Sequence, residues 1–167
     1  MKIIIGHTSS DFDCLSSMIA AKKLFPHALV VFPGAIEENV RKFLSIYSHV
    51  LGISSFKEVA MEKVTELIIV DTRQKERIGP FSKIIYKKNI KIRIFDHHPN
   101  MKGDIKGQQN KIKKVGSTTT ILLETIRKKQ LPISALESTL FALGIYEDTG
   151  SLSFSTTTQN DIEVLSY

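Results

Sequence analysis

Four short runs of β-branched and apolar residues, KIII (2–5), ALVVF (28–32), ELIIV (66–70) and KIRIF (91–95), recur along the chain with segments between them long enough to hold helices. Each run is nearly continuous rather than alternating, the pattern of a strand covered on both faces, and nothing else in the sequence constrains the fold as much. Between the first two, DCLSSMIAAKKLF puts Leu15, Met18, Ile19 and Leu24 roughly on one helical face, and EENVRKFLSIY repeats the arrangement with Val40, Phe43 and Leu44. Strand-helix alternation at this spacing predicts an α/β fold, a parallel sheet flanked by helices on both faces. With 167 residues, 42% of them hydrophobic, one domain spanning 1–167 is expected, since two of ordinary size do not fit.

Several classes are set aside at once. No apolar run approaches the roughly 18 residues a membrane span requires. The start, MKIIIGHTSSDFD, has three isoleucines before His7 and two acids, which is no secretory signal. A cytoplasmic protein is expected. The single Cys14 has no internal disulfide partner and is read as a small packed group. The formal charge of +6 is unevenly placed, with Lys83, Lys87, Lys88, Lys91 and Arg93 in one cluster and Lys102, Lys106, Lys111, Lys113 and Lys114 in another. Such patches attract polyanions, although lysine-rich faces also serve solubility.

In open α/β sheets ligands bind beyond the carboxyl ends of the strands. The polar residues at those ends therefore belong together. KIIIG is followed by His7, Asp11 and Asp13, ELIIV by Asp71, and KIRIF by Asp96, His97 and His98. A later stretch, SALESTLFALGIYEDTG, reads as an apolar helix ending in Glu147 and Asp148. An acid leaving an apolar helix is costly to bury unless paired or bound to metal, which makes Asp148 a further candidate.

GHTSSDFD (6–13), VD (70–71), DHH (96–98) and GIYEDTG (144–150) together resemble the four ordered motifs of the DHH phosphoesterase family. That family includes type II inorganic pyrophosphatases, single-strand exonucleases, oligoribonucleases and cyclic-dinucleotide phosphodiesterases. The wording of AAKKLFPHALVVFPG, VDTRQKERIGP, VGSTTTILLE and LFALGIYEDTGSLSFSTTT is similar to the N-terminal DHH domain of long bacterial tRNA nucleotidyltransferase or poly(A) polymerase-like proteins that carry CBS domains. The resemblance implies that His7, Asp11 and Asp71 hold one metal and Asp13, Asp71, His97 and Asp148 a second, with Asp71 as the bridge. It also implies that C-terminal domains of a longer multidomain protein follow, and TQNDIEVLSY, a helix of barely two turns capped at Thr158 or Asn160, fits that expectation.

The chemistry can be argued from the side chains as well. Carboxylates mixed with imidazole and without thiolate suit Mn²⁺ or Mg²⁺, with Mn²⁺ favoured by the histidines. Four carboxylates neutralise two divalent ions. Two-metal centres activate water for in-line attack on phosphorus. Asp96 is then expected to orient the site, and His98 to donate a hydrogen bond or proton to the phosphate or leaving oxygen, the alternative being a histidine packed under the loop. Arg73 is a candidate for gripping a substrate phosphate bidentately. GSTTT (116–120) offers either a phosphate-cradling turn or, preferred, a helix start with Ser117 as N-cap. His27 and His49 are read as surface or structural.

Three functions remain open: hydrolysis of a nucleotide or short single-stranded oligonucleotide, with tRNA as a possible substrate; a non-hydrolytic nucleic-acid-binding or nucleotide-binding module that regulates an attached tRNA enzyme; and inorganic pyrophosphate hydrolysis.

Overall fold

A computed structural model describes all residues from Met1 to Tyr167. The four apolar runs form strands β1 (Lys2–Ile5), β2 (Leu29–Val30), β3 (Glu66–Val70) and β4 (Lys91–Asp96), and a fifth, β5 (Gln109–Ile112), follows. All pair in parallel in the order β2-β1-β3-β4-β5, with Ile5 opposite Ile69 and Val70 opposite Phe95. The helices are α1 (Phe12–Leu24), α2 (Glu38–Leu51), α3 (Thr118–Lys128), α4 (Ala135–Asp148) and α5 (Gln159–Leu165). None is long and apolar enough to cross a membrane.

Because side chains alternate across a strand, the near-continuous Ile/Val runs feed two cores. Ile4, Ile68 and Val70 face the layer that contains all five α-helices. Ile3, Ile5, Leu67, Ile69, Ile92 and Ile94 face the other side. There the cover is Ile78 and Phe81 from a 3₁₀-helical segment, Lys75–Lys83, together with Ile84, Ile90 and Ile105, rather than a long α-helix. The parallel sheet with helical cover agrees with the sequence; the thinness of the second layer was not apparent from it.

Two departures are local. The ALVVF run pairs over two residues only, since Phe32 leads directly into Pro33, which has no amide hydrogen to give a ladder. Helix α1 is buried from Asp13 to Ala21 on every side, not along one stripe. It lies against β1, β2 and β3 and also against α3 and α4, so its small polar residues need partners inside the protein. Ser16 donates to the Leu140 carbonyl at 2.6 Å, and the Ser17 and Thr119 hydroxyls are 3.2 Å apart. Gly144 permits the close crossing of α1 and α4, because a Cβ there would lie 2.5 Å from Ser16 Oγ.

The chain runs from β1 through α1 to β2 on one side, then returns past β1 to β3 on the other. The reversal leaves a crevice between the carboxyl ends of β1 and β3. His7 follows the first of these strands and Asp71 the second.

Candidate metal centre

Asp71 leaves β3 with a left-handed backbone, φ 61°, which is uncommon for a residue with a side chain and persists only where its surroundings hold it. The turn aims its two oxygens in different directions. Oδ2 lies 3.2 Å from His7 Nε2, and Oδ1 lies 3.6 Å from His97 Nε2 while accepting from the Thr118 hydroxyl at 2.8 Å.

Both histidines are held in the tautomer a metal requires. His7 Nδ1 is 2.9 Å from its neighbour's carbonyl, Thr8 O, and His97 Nδ1 is 3.1 Å from Val115 O. In each ring the Nδ1 hydrogen is donated to a carbonyl, and Nε2 is turned toward carboxylates, where a metal can replace its proton. His97 Nε2 is the one buried side-chain nitrogen or oxygen with no hydrogen-bond partner. Asp148 Oδ2 is only 3.0 Å from it, but outside hydrogen-bonding geometry. A buried ring nitrogen without a hydrogen-bond partner, set among carboxylates, is a place for a cation, a proton in the metal-free protein or a metal in its stead, so the residues fit a divalent metal.

The remaining acids converge from separate elements. Asp11 is the N-cap of α1, accepting from the Cys14 amide at 2.9 Å, and its other oxygen is 3.6 Å from His7 Nε2. Asp13, fully buried, accepts from the Thr118 and Thr119 amides at 2.8 and 2.9 Å. These are the first amides of α3, so the helix start that could have cradled a phosphate is spent on Asp13, with Ser117 as the N-cap. Asp148 is the last residue of α4, and the Phe12 amide donates to neighbouring Glu147 at 2.5 Å, tying that helix end to the start of α1. Ligand atoms of Asp13, Asp71, His97 and Asp148 all lie within 4.8 Å of one another. A second group joins His7, Asp71 and Cys14. Burial raises the Cys14 thiol pKa and keeps it protonated, consistent with its place in the core.

Crowding of acids shows in their proton affinities. Burial, then the Asp148 charge, pushes Asp13 up to about 7. Burial and the charges of Asp13, Asp11 and Asp148 raise Asp71 well above the usual carboxylate range. For His97 burial acts to lower the pKa, but Asp148, Asp13 and Asp71 outweigh it and raise it to about 10.

Beside these residues, buried Asp96 accepts from His98 Nδ1 at 2.7 Å and from Arg73 Nε at 2.6 Å. Burial works against its ionised form, yet His98 and Arg73 hold its pKa below the usual value. Asp96 thus fixes the His98 ring, whose side chain is 42% exposed on the side of the centre.

The expected substrate grip of Arg73 is not what the structure gives. Its side chain is 4% exposed, and besides Asp96 it donates to Asn100 Oδ1 at 2.5 Å and to the His98 and Pro99 carbonyls at 2.6 and 2.9 Å. A guanidinium enclosed by the DHHPN loop braces that loop instead of meeting a ligand.

Two contributors escaped the sequence reading. Thr118 is one, through its bond to Asp71. The other is Asp161, fully buried, which accepts from the Gly116 amide at 2.9 and 3.1 Å and from the Thr120 hydroxyl at 2.6 Å, anchoring the start of α3. Its signal was the T-x-x-D spacing of Thr158 and Asp161, a capping box. His27 and His49 are exposed, as read.

Known proteins share this fold. Over residues 2–145 the chain matches the DHH family, N-terminal domain. It is similar to the A-adding tRNA nucleotidyltransferase of Geobacter sulfurreducens, with 39% identity over all of this chain and 19% of that protein, and to that of Aquifex aeolicus, with 32% identity over 99% of this chain and 19% of that protein. The chain therefore spans about a fifth of the length of the curated relatives it matches. Among solved structures, an exopolyphosphatase-related protein from Bacteroides fragilis superposes with TM-score 0.79 at 18% identity, covering 99% of this chain and 51% of that one. A putative family II inorganic pyrophosphatase from Methanococcus jannaschii superposes with TM-score 0.78 at 24% identity, covering 99% of this chain and 54% of that one. With the family match running through nearly the whole sheet and its helices, the chain belongs to the DHH family, as an N-terminal domain of that family.

Proposed function

We propose that this domain is a two-metal phosphoesterase that hydrolyses a nucleotide or short oligonucleotide phosphoester, in a protein linked to tRNA 3′-end processing. The observation that carries the reading is Asp71, one oxygen toward His7 and the other toward His97, with each imidazole held as a ligand by a backbone carbonyl. In it, His7, Asp11 and Asp71 hold one divalent ion and Asp13, Asp71, His97 and Asp148 the other, Mn²⁺ before Mg²⁺ because two ligands are imidazoles. Such a pair supplies Lewis-acid polarisation of the phosphoryl oxygens and a water acidic enough to attack near neutral pH.

The chain's own residues do the rest. Asp96, kept ionised in a buried site, orients His98 so that its free Nε2 can give a hydrogen bond or proton to the leaving oxygen. Arg73 keeps the loop bearing His98 in register with the centre. Asp13, clamped by the α3 amides, fixes the start of α1 against the start of α3. The link to tRNA rests on the names of the curated relatives and on the formal charge of +6.

Those names also favour a second reading, a metal-binding module that positions a nucleic acid for a nucleotidyltransferase without hydrolysing it. Calorimetric Mn²⁺ titration and a hydrolysis panel separate the two. The panel holds pyrophosphate, a 3′,5′-bisphosphate nucleotide, cyclic dinucleotides, dinucleotides and tRNA 3′ ends, assayed on this chain and on the longest natural form of the protein. Two bound Mn²⁺ ions and turnover of a nucleotide ester are expected. Metal binding without turnover on any member leaves the module reading, and pyrophosphate as the preferred substrate overturns the nucleotide assignment.

A further inference from the structure

A cavity of about 660 Å³ opens directly beside the centre, and its lining includes His97, His98 and Asp148 together with Lys114, Phe154 and Thr156. Nothing in the hydrolytic machinery uses the last three. Phe154 is 55% exposed there, yet it is not loosely placed. It ends a turn in which Gly150, Ser151 and Leu152 are successively left-handed, with φ of 54°, 55° and 69°. For Ser151 and Leu152 that conformation is costly, and such strain persists where neighbouring structure over-determines it, often at a ligand site.

The over-determination is visible. Buried Thr149, next to Asp148, takes the Leu152 amide on its hydroxyl at 3.1 Å and the Phe154 amide on its carbonyl at 3.0 Å, and the Ser153 hydroxyl donates to the Gly150 carbonyl at 2.6 Å. The Phe154 ring lies on Gly150, where any Cβ would come within 2.3 Å of it. One side of the ring is therefore braced against backbone and the residue still opens to the cavity. Lys114 adds positive charge at the rim.

We propose that this cavity is a nucleobase site, in which the base next to the reacting phosphate stacks on Phe154 while Lys114 faces the sugar-phosphate. The proposal rests on the phosphoesterase reading above and names its substrate as base-bearing. A rigid aromatic braced from behind is what sequence-tolerant stacking uses, and the volume suits a ligand of nucleotide size. Stacking without hydrogen-bond readout predicts little preference among bases.

The chain contains no tryptophan, so Phe154→Trp installs a single fluorophore in the proposed wall. With Mn²⁺ present, AMP and a dinucleotide should quench it, whereas ribose 5-phosphate and inorganic phosphate should not. By calorimetry on otherwise unaltered protein, Phe154→Leu should weaken AMP binding about 10- to 100-fold and Phe154→Tyr should retain it. Equal quenching by ribose 5-phosphate, or AMP affinity unchanged in Phe154→Leu, overturns the nucleobase site. Mn²⁺ titration of the same variants reports on the metal centre separately, so lost quenching with intact metal binding refutes the stacking wall alone.

Discussion

Asp71 concentrates the argument about the centre, because it alone faces both imidazoles, and it does so from a backbone conformation that the β3–β4 edge must hold in place. Asp71→Asn keeps the shape and removes the charge shared by both sites. It should abolish both Mn²⁺ binding events, whereas Asp11→Asn should weaken one; two intact events in the Asp71 variant would refute the bridge. His98 is different in kind. Its Nδ1 is engaged by Asp96, so His98→Ala should leave Mn²⁺ affinity within a few-fold and lower turnover by about 10²–10⁴ in steady-state kinetics. Turnover near that of the parent would make it a structural histidine. Arg73 acts through stability. Replacing it with Met leaves Asp96 buried without its cation, and removing one partner of a buried pair costs about 3–5 kcal/mol, measurable by denaturant unfolding.

The elements differ in how plainly the sequence announces them. Strands β1 and β3 were legible because burial on both faces demands continuous Ile and Val, and β4 because Ile92, Ile94 and Phe95 make a short apolar run although its burial alternates; His7, Asp71 and His97 follow from where those strands stop. The β5 strand, QNKI, was not, since an edge strand with mostly exposed residues needs no apolar pattern. Nor was the enclosure of α1, because Ser16 and Ser17 read as a polar face until their buried partners are seen. Arg73 was misjudged for the same reason: a loop arginine beside a metal motif looks like a phosphate grip, and only the fold closes the DHHPN loop around it. Contact between α1 and α4 depends on Gly144. Gly144→Ala drives a methyl to 2.5 Å from Ser16 Oγ and 3.0 Å from the Phe12 carbonyl, so it should cost about 1–3 kcal/mol by overpacking although alanine favours helix. Because the same crossing carries Asp13 and Asp148, its Mn²⁺ affinity should fall as well; unchanged stability and affinity in that variant would show that the helices part without consequence.

For the molecule as a whole, the centre gathers more negative charge than a metal-free core can hold, and protons take the place of cations. Asp13 titrates at about 7 against an ordinary 3.8, and His97 at about 10 against 6.5. Both are raised, so the folded chain binds more protons than the unfolded one between each pair of values, and stability falls as pH rises through them. The loss runs from about pH 4 to 7 through Asp13 and from about 6.5 to 10 through His97. Surface charge works the other way, since net positive charge declines toward the pI of about 9.4 and self-repulsion with it. A falling melting temperature in EDTA from pH 5 to 9 therefore points to the centre and not to the basic exterior. Metal reverses the sign: ligands must be deprotonated to bind, so the stabilisation contributed by saturating Mn²⁺ should grow over the same interval. Thermal unfolding in EDTA and in Mn²⁺ across that range tests both halves, and a metal-free melting temperature that climbs with pH would show that these acids and imidazoles do not share the protons their geometry demands.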